Sequence, residues 1–329
     1  MGSQLIMSSD VRVTIVILTY NGAEYIGEVL SSVFKQKTDF PYEVLMIDSG
    51  STDETLVVAE AYPVRLMKID KGEFNHGETR NKGAAEARGE FVCYLTQDAT
   101  PRDETWLQSM IEPFSRDKKI VAVFGKHVPR ADCNPVTERD TNGVFAAISP
   151  DDRPVVRVIT SDRDKEELEN FRSMKGFYSD VNSCLRKSYW KEHPYKPLDY
   201  AEDQVFGREV LLSGHKIAYS PKAAVLHSHN YRPATFVRRF YDEYRGLNIA
   251  IGYRENITLL RLLPSAWRGW RADVKYIKGT GRYKLFRRVR WYWYAWLMNL
   301  GRRVGAYFAA RYDRLPPGFE RRMSLERGR

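Results

Sequence analysis

The sequence predicts an α/β fold with a mostly parallel central sheet, followed by a helical region rich in basic and aromatic residues. Three observations lead there. Strand-like and helix-like stretches alternate through the first hundred residues, polar and acidic residues gather where those strands end, and charge divides unevenly along the chain. Among 329 residues, 52 Lys and Arg stand against 42 Asp and Glu, a formal +10. Residues 1–229 hold 29 basic and 35 acidic side chains, whereas 230–329 hold 23 and 7. The second segment, at +16, requires a polyanionic partner or surface to account for it.

The elements follow in order. Val11 to Leu18 is a β-branched apolar run of strand length that stops at Thr19-Tyr20-Asn21-Gly22. Tyr25, Ile26, Val29, Leu30, Val33 and Phe34 then recur at helical spacing. Glu43 to Ile47 reads as a second strand, ending at Asp48-Ser49-Gly50-Ser51-Thr52-Asp53. Ser51 or Thr52 is expected to cap a helix reaching about Ala61. Val64 to Ile69 makes a third strand, Thr79 to Arg88 a helix, and Glu90 to Thr96 a fourth strand running into Gln97-Asp98. This alternation implies parallel strands with covering helices, and such sheets bind ligands in the crevice beyond their carboxyl ends. Those ends carry Thr19, Tyr20, Asn21, Asp48, Asp70 and Asp98.

Composition narrows the classes. Hydrophobic residues make up 43% and charged ones 29%, which disfavours a disordered tail or a fibrous repeat. Cys93, Cys133 and Cys184 show no CxxC spacing, so neither a disulfide framework nor a zinc ribbon is indicated, and a reducing cytoplasm fits. No run reaches the ~18–20 apolar residues of a membrane span; Trp291 to Leu300 is only ten residues long. Neither GxxxxGK[ST] nor a GxGxxG after the first strand occurs, which disfavours a Walker ATPase and a dinucleotide dehydrogenase. A nucleotide site built from side chains and a metal remains.

Several residues suit such a site, each with a plainer alternative. Asp48 can accept the imide N–H of uracil or thymine while Tyr20 offers a ring for stacking. Alternatively, Asp48 and Asp53 only organise the turn and cap the helix. Arg80, beside Asn81, offers a guanidinium fork to phosphate, or is a solvated helix residue. Asp98, at a strand tip, is placed to hold Mg2+ or Mn2+ on a diphosphate, or to cap a helix starting near Asp103. Glu202-Asp203 pairs two carboxylates at a helix N-terminus, where the dipole keeps at least one ionised and able to act as a general base. The plain alternative is an N-terminal helix charge. His227 and His229 share one strand face, which suits a metal or a structural role.

As a set, VTIVILTYNGAEYI, EVLMIDSGSTDET, HGETRNKGAAEARGEFVCYLTQDA, YSDVNSCLRKSYW, AEDQVFG and VLHSHNYR resemble the family 2 glycosyltransferases, which have the nucleotide-diphospho-sugar GT-A fold. The matching pieces run from about residue 11 to 231. FNHG…TRN followed by TQDA resembles the bacterial rhamnosyltransferase branch, which uses dTDP-L-rhamnose. The resemblance implies an inverting transfer from dTDP-rhamnose or a UDP-sugar to a glycan or lipid-linked glycan in cell-surface polysaccharide synthesis. It implies that Thr19, Tyr20 and Asp48 hold the pyrimidine and ribose, with Asn21 and Gln97 in the same donor site. Arg80 and Asn81 would sit by the base or diphosphate. Asp98 matches the metal-holding last carboxylate of the family's DxD signature. Asp203 matches the catalytic base of its ED motif, with Glu202 before it. His227 resembles a third metal ligand found in some members, and Asn182 would lie near the donor sugar or acceptor. Thr96 stands where the first Asp of DxD belongs, so the metal has one carboxylate fewer.

The expected organisation is an arm over residues 1–10, a catalytic domain over 11–231 and a helical region over 232–329. Residues 11–100 form the nucleotide-binding half of the catalytic domain and 101–231 the acceptor half. Residues 129–178 are polar and lack a clear period until about Lys165, which suggests a lid or acceptor loop. Phe236, Phe240, Tyr244, Leu247 and Ile251 recur at helical spacing, with a second helix expected after Pro264 and a third from about Arg282 to Tyr312. Arginines interleaved with Trp267, Trp270, Trp291, Trp293 and Trp296 suit the headgroup zone of an anionic leaflet, which places the protein peripherally on the inner face of the cell membrane. The alternative is packing on the catalytic domain or in a homo-oligomer. Arginine with aromatics also suits single-stranded nucleic acid, but that reading leaves the strand-end carboxylates unexplained, so no nucleic acid is expected. A nucleotidyltransferase also uses strand-end Asp residues but would consume a nucleoside triphosphate.

Overall fold

Strand β1 (Val13–Thr19) is the hub of the sheet, and all its residues except Leu18 are buried. On one side β2 (Tyr42–Asp48) pairs parallel with it, and β3 (Arg65–Lys68) extends that edge in parallel. On the other side lies β4 (Phe91–Thr96), again parallel. Four further strands, β5 (Thr100–Pro101), β6 (Ile120–Val128), β7 (Val155–Arg157) and β8 (Asn182–Arg186), are joined by β9 (Lys216–Leu226) in one nine-stranded sheet. Here β8 lies antiparallel between β4 and β6, β6 and β9 are parallel, and β5 and β7 pair antiparallel with β9. The computed structural model describes residues 11–170 and 173–325; the arm expected over 1–10 lies outside them.

Helices cover both faces, which explains why the central strands read as continuous apolar runs. They are α1 (Ile26–Val33), α2 (Thr55–Ala59), α3 (His76–Glu86), α4 (Trp106–Arg116), α5 (Pro135–Ile148), α6 (Asp162–Glu169), α7 (Lys187–Glu192) and α8 (Glu202–Leu212). Because strand side chains alternate, Ile15 and Ile17 join one core with Leu30, Trp106 and Met110. Val16 joins the other, with Ile47, Tyr94, Phe124 and Val210.

Local signals shift some boundaries. Neither Ser51 nor Thr52 caps α2: Asp53 Oδ1 accepts from the Thr55 N–H at 3.0 Å instead, and the helix stops at Ala59. Helix α3 begins at His76, earlier than expected, because Asn75 caps it by accepting from Glu78 N at 3.0 Å. The stretch expected as a loop over 129–178 contains α5, β7 and α6, the last capped by Ser161 accepting from Asp164 N at 3.1 Å.

The described residues fall into two compact units: positions up to Val128 with Val144–His227, and Pro129–Gly143 with positions from Ser228 onward. The second unit holds α9 (Phe236–Ile251), α10 (Leu259–Gly279), α11 (Leu285–Ala309) and α12 (Pro317–Met323) around Val136, Phe236, Phe240, Ile277, Ala295 and Met298. Helix α10 starts before Pro264 rather than after it. A proline in the second turn removes only the N–H that would bond the carbonyl of Leu260, and that end of the helix is open to water. Between α9 and α11 the backbones approach closely, since a Cβ at Gly305 would lie 2.7 Å from Tyr241 N. Among the described residues no helix is long and apolar enough to cross a membrane.

Candidate active site

The loops after β1 and β2 are fastened to each other. Asn21, at φ 47°, accepts from Thr52 N through Oδ1 at 2.8 Å, and its own N–H donates to Ser51 Oγ at 2.9 Å. Gly22 N donates to Thr55 Oγ1 at 2.8 Å, and Ala23 N to Asp53 Oδ2 at 3.1 Å. Asp48 is almost wholly buried. Its Oδ1 accepts from the Gly50 and Ser51 N–H groups at 3.0 and 2.9 Å, and its Oδ2 accepts from the Thr19 hydroxyl at 3.1 Å and from Ser51 Oγ. Asp48 with Thr19 therefore organises this turn, as the plainer of its two sequence readings has it, and these four bonds occupy both carboxylate oxygens. Gln97 clamps the Tyr20 backbone, accepting from its N–H at 2.9 Å and donating to its carbonyl at 3.1 Å. A Cβ at Gly22 would lie 2.3 Å from Gln97 Oε1, so the glycine makes room for this clamp. Tyr20 itself carries a cation: Lys71 Nζ donates to its hydroxyl at 2.9 Å and stands 4.9 Å from the ring centre.

Asp98 follows β4, and the pairing of Thr100 with Leu226 brings it beside His227. Asp98 Oδ2 and His227 Nε2 are 3.5 Å apart. The His127 ring centre is 5.6 Å from that of His227, and His127 Nε2 is buried without a hydrogen-bond partner among the described residues. Burial, then the neighbouring His227, push the His127 imidazolium down to about 3, so this ring is neutral. A carboxylate oxygen, an imidazole nitrogen and an unsatisfied neutral imidazole nearby form a donor set that fits a divalent ion such as Mn2+. His229 belongs to the other unit.

A third group joins three segments far apart in sequence. Arg80, on α3, stands with Nε 3.0 Å from Asp180 Oδ2 and donates through Nη1 to Glu202 Oε1 at 2.5 Å. All three side chains are buried. Asp180 also accepts at Oδ1 from Tyr195 and Ser183 hydroxyls at 3.0 and 2.6 Å. Asp203, next to Glu202 at the start of α8, accepts from Asp180 N at 3.2 Å through Oδ2 and remains partly exposed. Ala201, in a left-handed conformation at φ 58°, turns the chain so that both carboxylates lead the helix.

Electrostatics follow from this crowding. Burial, then Glu202 and Asp180, push the Asp203 carboxyl well above the usual range against the pull of Arg80. Burial pushes Asp180 up to about 6. Burial and the Arg80 charge push His76 down to about 3, so the ring 3.5 Å from Arg80 Nη1 is neutral. Arg80 is thus not a solvated helix residue: its Nε and Nη1 face Asp180 and Glu202. It and Glu202 form the mount for Asp203.

Asn81 and Asn182 also serve the frame. Asn81 Oδ1 accepts from Trp190 Nε1 at 2.8 Å and Tyr195 N at 3.0 Å, and Nδ2 donates to Tyr195 O at 2.8 Å. Asn182 is fully buried, accepting from Trp106 Nε1 at 2.9 Å and donating to Ala223 O at 2.7 Å. In this structure the hydrogen bonds of both go to other parts of the fold. Sequence reasoning passed over Asp180, Lys71 and His127; only Asp180 carried a signal, as the acid just before a buried strand in SDVNSC.

The sequence pattern described as glycosyl transferase family 2 matches residues 14–185. This chain belongs to glycosyl transferase family 2. The glycosyltransferase is 31% identical over 236 residues to the O-antigen chain rhamnosyltransferase WbaN of Salmonella anatum, covering 70% of each chain. It is 32% identical over 235 residues to the O-antigen chain rhamnosyltransferase RfbN of Salmonella typhimurium, covering 70% of this chain and 71% of that one. Its fold is of the GT-A type, similar to a mannosyltransferase from Pyrobaculum calidifontis (TM-score 0.56, 18% identity, covering 92% and 88%). Family membership makes it a nucleotide-sugar glycosyltransferase and leaves the nucleotidyltransferase and nucleic-acid-binding readings without support.

Two expectations follow. Asp180→Asn removes one of the carboxylates raising Asp203, so the acid limb of the pH–rate profile should move to lower pH; an unmoved limb would separate Asp180 from the base. Asn182→Ala should lower the urea midpoint, at about 1–3 kcal/mol for each buried group left unpaired, while leaving donor KM unchanged.

Proposed function

We propose that this glycosyltransferase transfers a sugar with inversion, L-rhamnose from dTDP-L-rhamnose being the first candidate, onto a glycan carried on lipid at the inner, cytoplasmic face of the cell membrane. The observation that carries the inverting chemistry is Asp203: a partly exposed carboxylate at a helix start, oriented by the Asp180 N–H and raised in pKa by its neighbours. A base held in that way accepts a proton readily while an acceptor oxygen attacks. The kinship with WbaN and RfbN supports rhamnose as the sugar.

In the proposed step the acceptor hydroxyl transfers its proton to an Asp203 carboxylate oxygen as its own oxygen bonds to the anomeric carbon. The bond from that carbon to the diphosphate breaks on the opposite face, and its electron pair leaves with the nucleotide. Tyr20 and Lys71 supply a ring and a cation where donor binding is expected. Asp98 and His227, with His127 behind them, would hold Mg2+ or Mn2+; the Pyrobaculum calidifontis neighbour is a complex with GDP-Man and Mn2+. Such an ion supplies positive charge to a departing diphosphate.

Turnover of a panel of nucleotide-sugars, read as released nucleoside diphosphate, should be highest with dTDP-rhamnose; preference for another donor would remove rhamnose from the proposal. Asp203→Asn should reduce transfer by about 10²–10⁴-fold with donor affinity retained, and retained turnover would reject this base. Asp98→Ala and His227→Ala should each weaken Mn2+ binding measured by calorimetry; unchanged affinity would move the metal elsewhere.

A further inference from the structure

The helical unit presents an apolar face that its own core does not use. On α11 the inward side chains Ala295, Met298 and Asn299 are buried, whereas Phe286, Val289, Trp293 and Leu297 are 90, 45, 64 and 42% exposed. Their spacing of three and four residues sets them in one row on the side of the helix opposite that core. Leu285, 71% exposed, flanks the row. Helix α10 adds an exposed set at its first turns: Leu259, Leu260, Leu263 and Trp267. Water-facing rows of this size, with two tryptophans among them, mark a docking surface rather than scattered exposure.

Charge identifies the occupant. From residue 256 to 312, thirteen Lys and Arg stand against a single acidic residue, Asp273. Asp273 is fully buried and held by Arg139 at 2.7 Å, so it neutralises nothing at the surface. Arg261, Arg268, Arg271, Lys284, Arg287 and Arg290 are exposed around the two rows. Two of these arginines lie over tryptophans, Arg271 at 4.8 Å from the Trp267 ring centre and Arg290 at 5.6 Å from that of Trp291. A second copy of this face would set uncompensated arginines against arginines. An anionic lipid surface offers both complements: headgroup phosphates for the cations and acyl chains for the row.

We propose that the outward row of α11, with the first turns of α10, lies in the interfacial zone of an anionic bilayer, without spanning it. This specifies how the enzyme meets a lipid-linked acceptor, and it deepens the reading of the acceptor given above without depending on the Asp203 chemistry. Docking would hold the enzyme where its acceptor is concentrated.

Co-sedimentation of the full chain with vesicles tests it. Binding is expected to vesicles of 30% phosphatidylglycerol in phosphatidylethanolamine, to fall at least tenfold when salt rises from 0.1 to 0.5 M, and to be absent on pure phosphatidylcholine. Phe286→Ser with Trp293→Ser should cut partitioning at least tenfold, as should Arg287→Glu with Arg290→Glu, with thermal melts unchanged. Donor turnover with a water-soluble acceptor should be unaffected in both double variants, so loss of transfer and loss of docking read out separately. No binding to anionic vesicles, or equal binding by the Phe286/Trp293 variant, overturns the proposal. So does a wild-type dimer, seen by sedimentation velocity, that the same variant dissociates without any effect on vesicles.

Discussion

The Arg80 ion pairs with Asp180 and Glu202 are the constraint on which the active site depends. They tie the first turns of α3 to the turn before β8 and the start of α8, both of which lie far beyond α3 along the chain. Asp203 takes its place from this tie, because its neighbour Glu202 is anchored and its own carboxylate receives the Asp180 N–H. Buried ion pairs contribute little net stability compared with apolar packing of the same volume. Three carboxylates around one guanidinium are therefore explained better by what they position than by what they stabilise.

Around this anchor, several side chains singled out in the sequence as ligand contacts hydrogen-bond to the frame of the fold. Asp48, Asn21, Gln97 and Asn81 hold loops and helices in register, and Asn182 holds β8 against Trp106 and Ala223. A fixed frame lets the few remaining groups act without rearranging, which is how preorganised polar sites gain their effect. In the function proposed above, Asp98 beside His227, Tyr20 beside Lys71 and the partly exposed Asp203 are those groups.

Much of the fold was legible because period two and period 3.6 leave different traces. The first four strands and α1 fall within a residue or two of their expected places, since Ile15 and Val16 alternate between cores while Ile26, Val29, Leu30 and Val33 share one face. Helix starts were less legible: Asn75 caps α3, and at α2 Asp53 rather than Ser51 or Thr52 takes the Thr55 N–H, although several nearby polar residues were equally able to do so. The site was legible as a set of strand-end positions but not as roles. Asp48 and Arg80 stand where a nucleotide site needs them, yet their partners, Thr19 and Ser51 for one and Asp180 and Glu202 for the other, are joined only by folding. In the C-terminal unit, spacing located the aromatic helices, but only packing separated inward Met298 from outward Trp293.

The role proposed for Asp203, a single base that takes the acceptor proton, commits the transfer to one stereochemical course. The anomeric configuration of the first-formed product, read by proton NMR before mutarotation or secondary transfer, tests this most directly. Inversion relative to the donor is the expected result; a retained configuration would contradict the role given to Asp203 and the arrangement built around it.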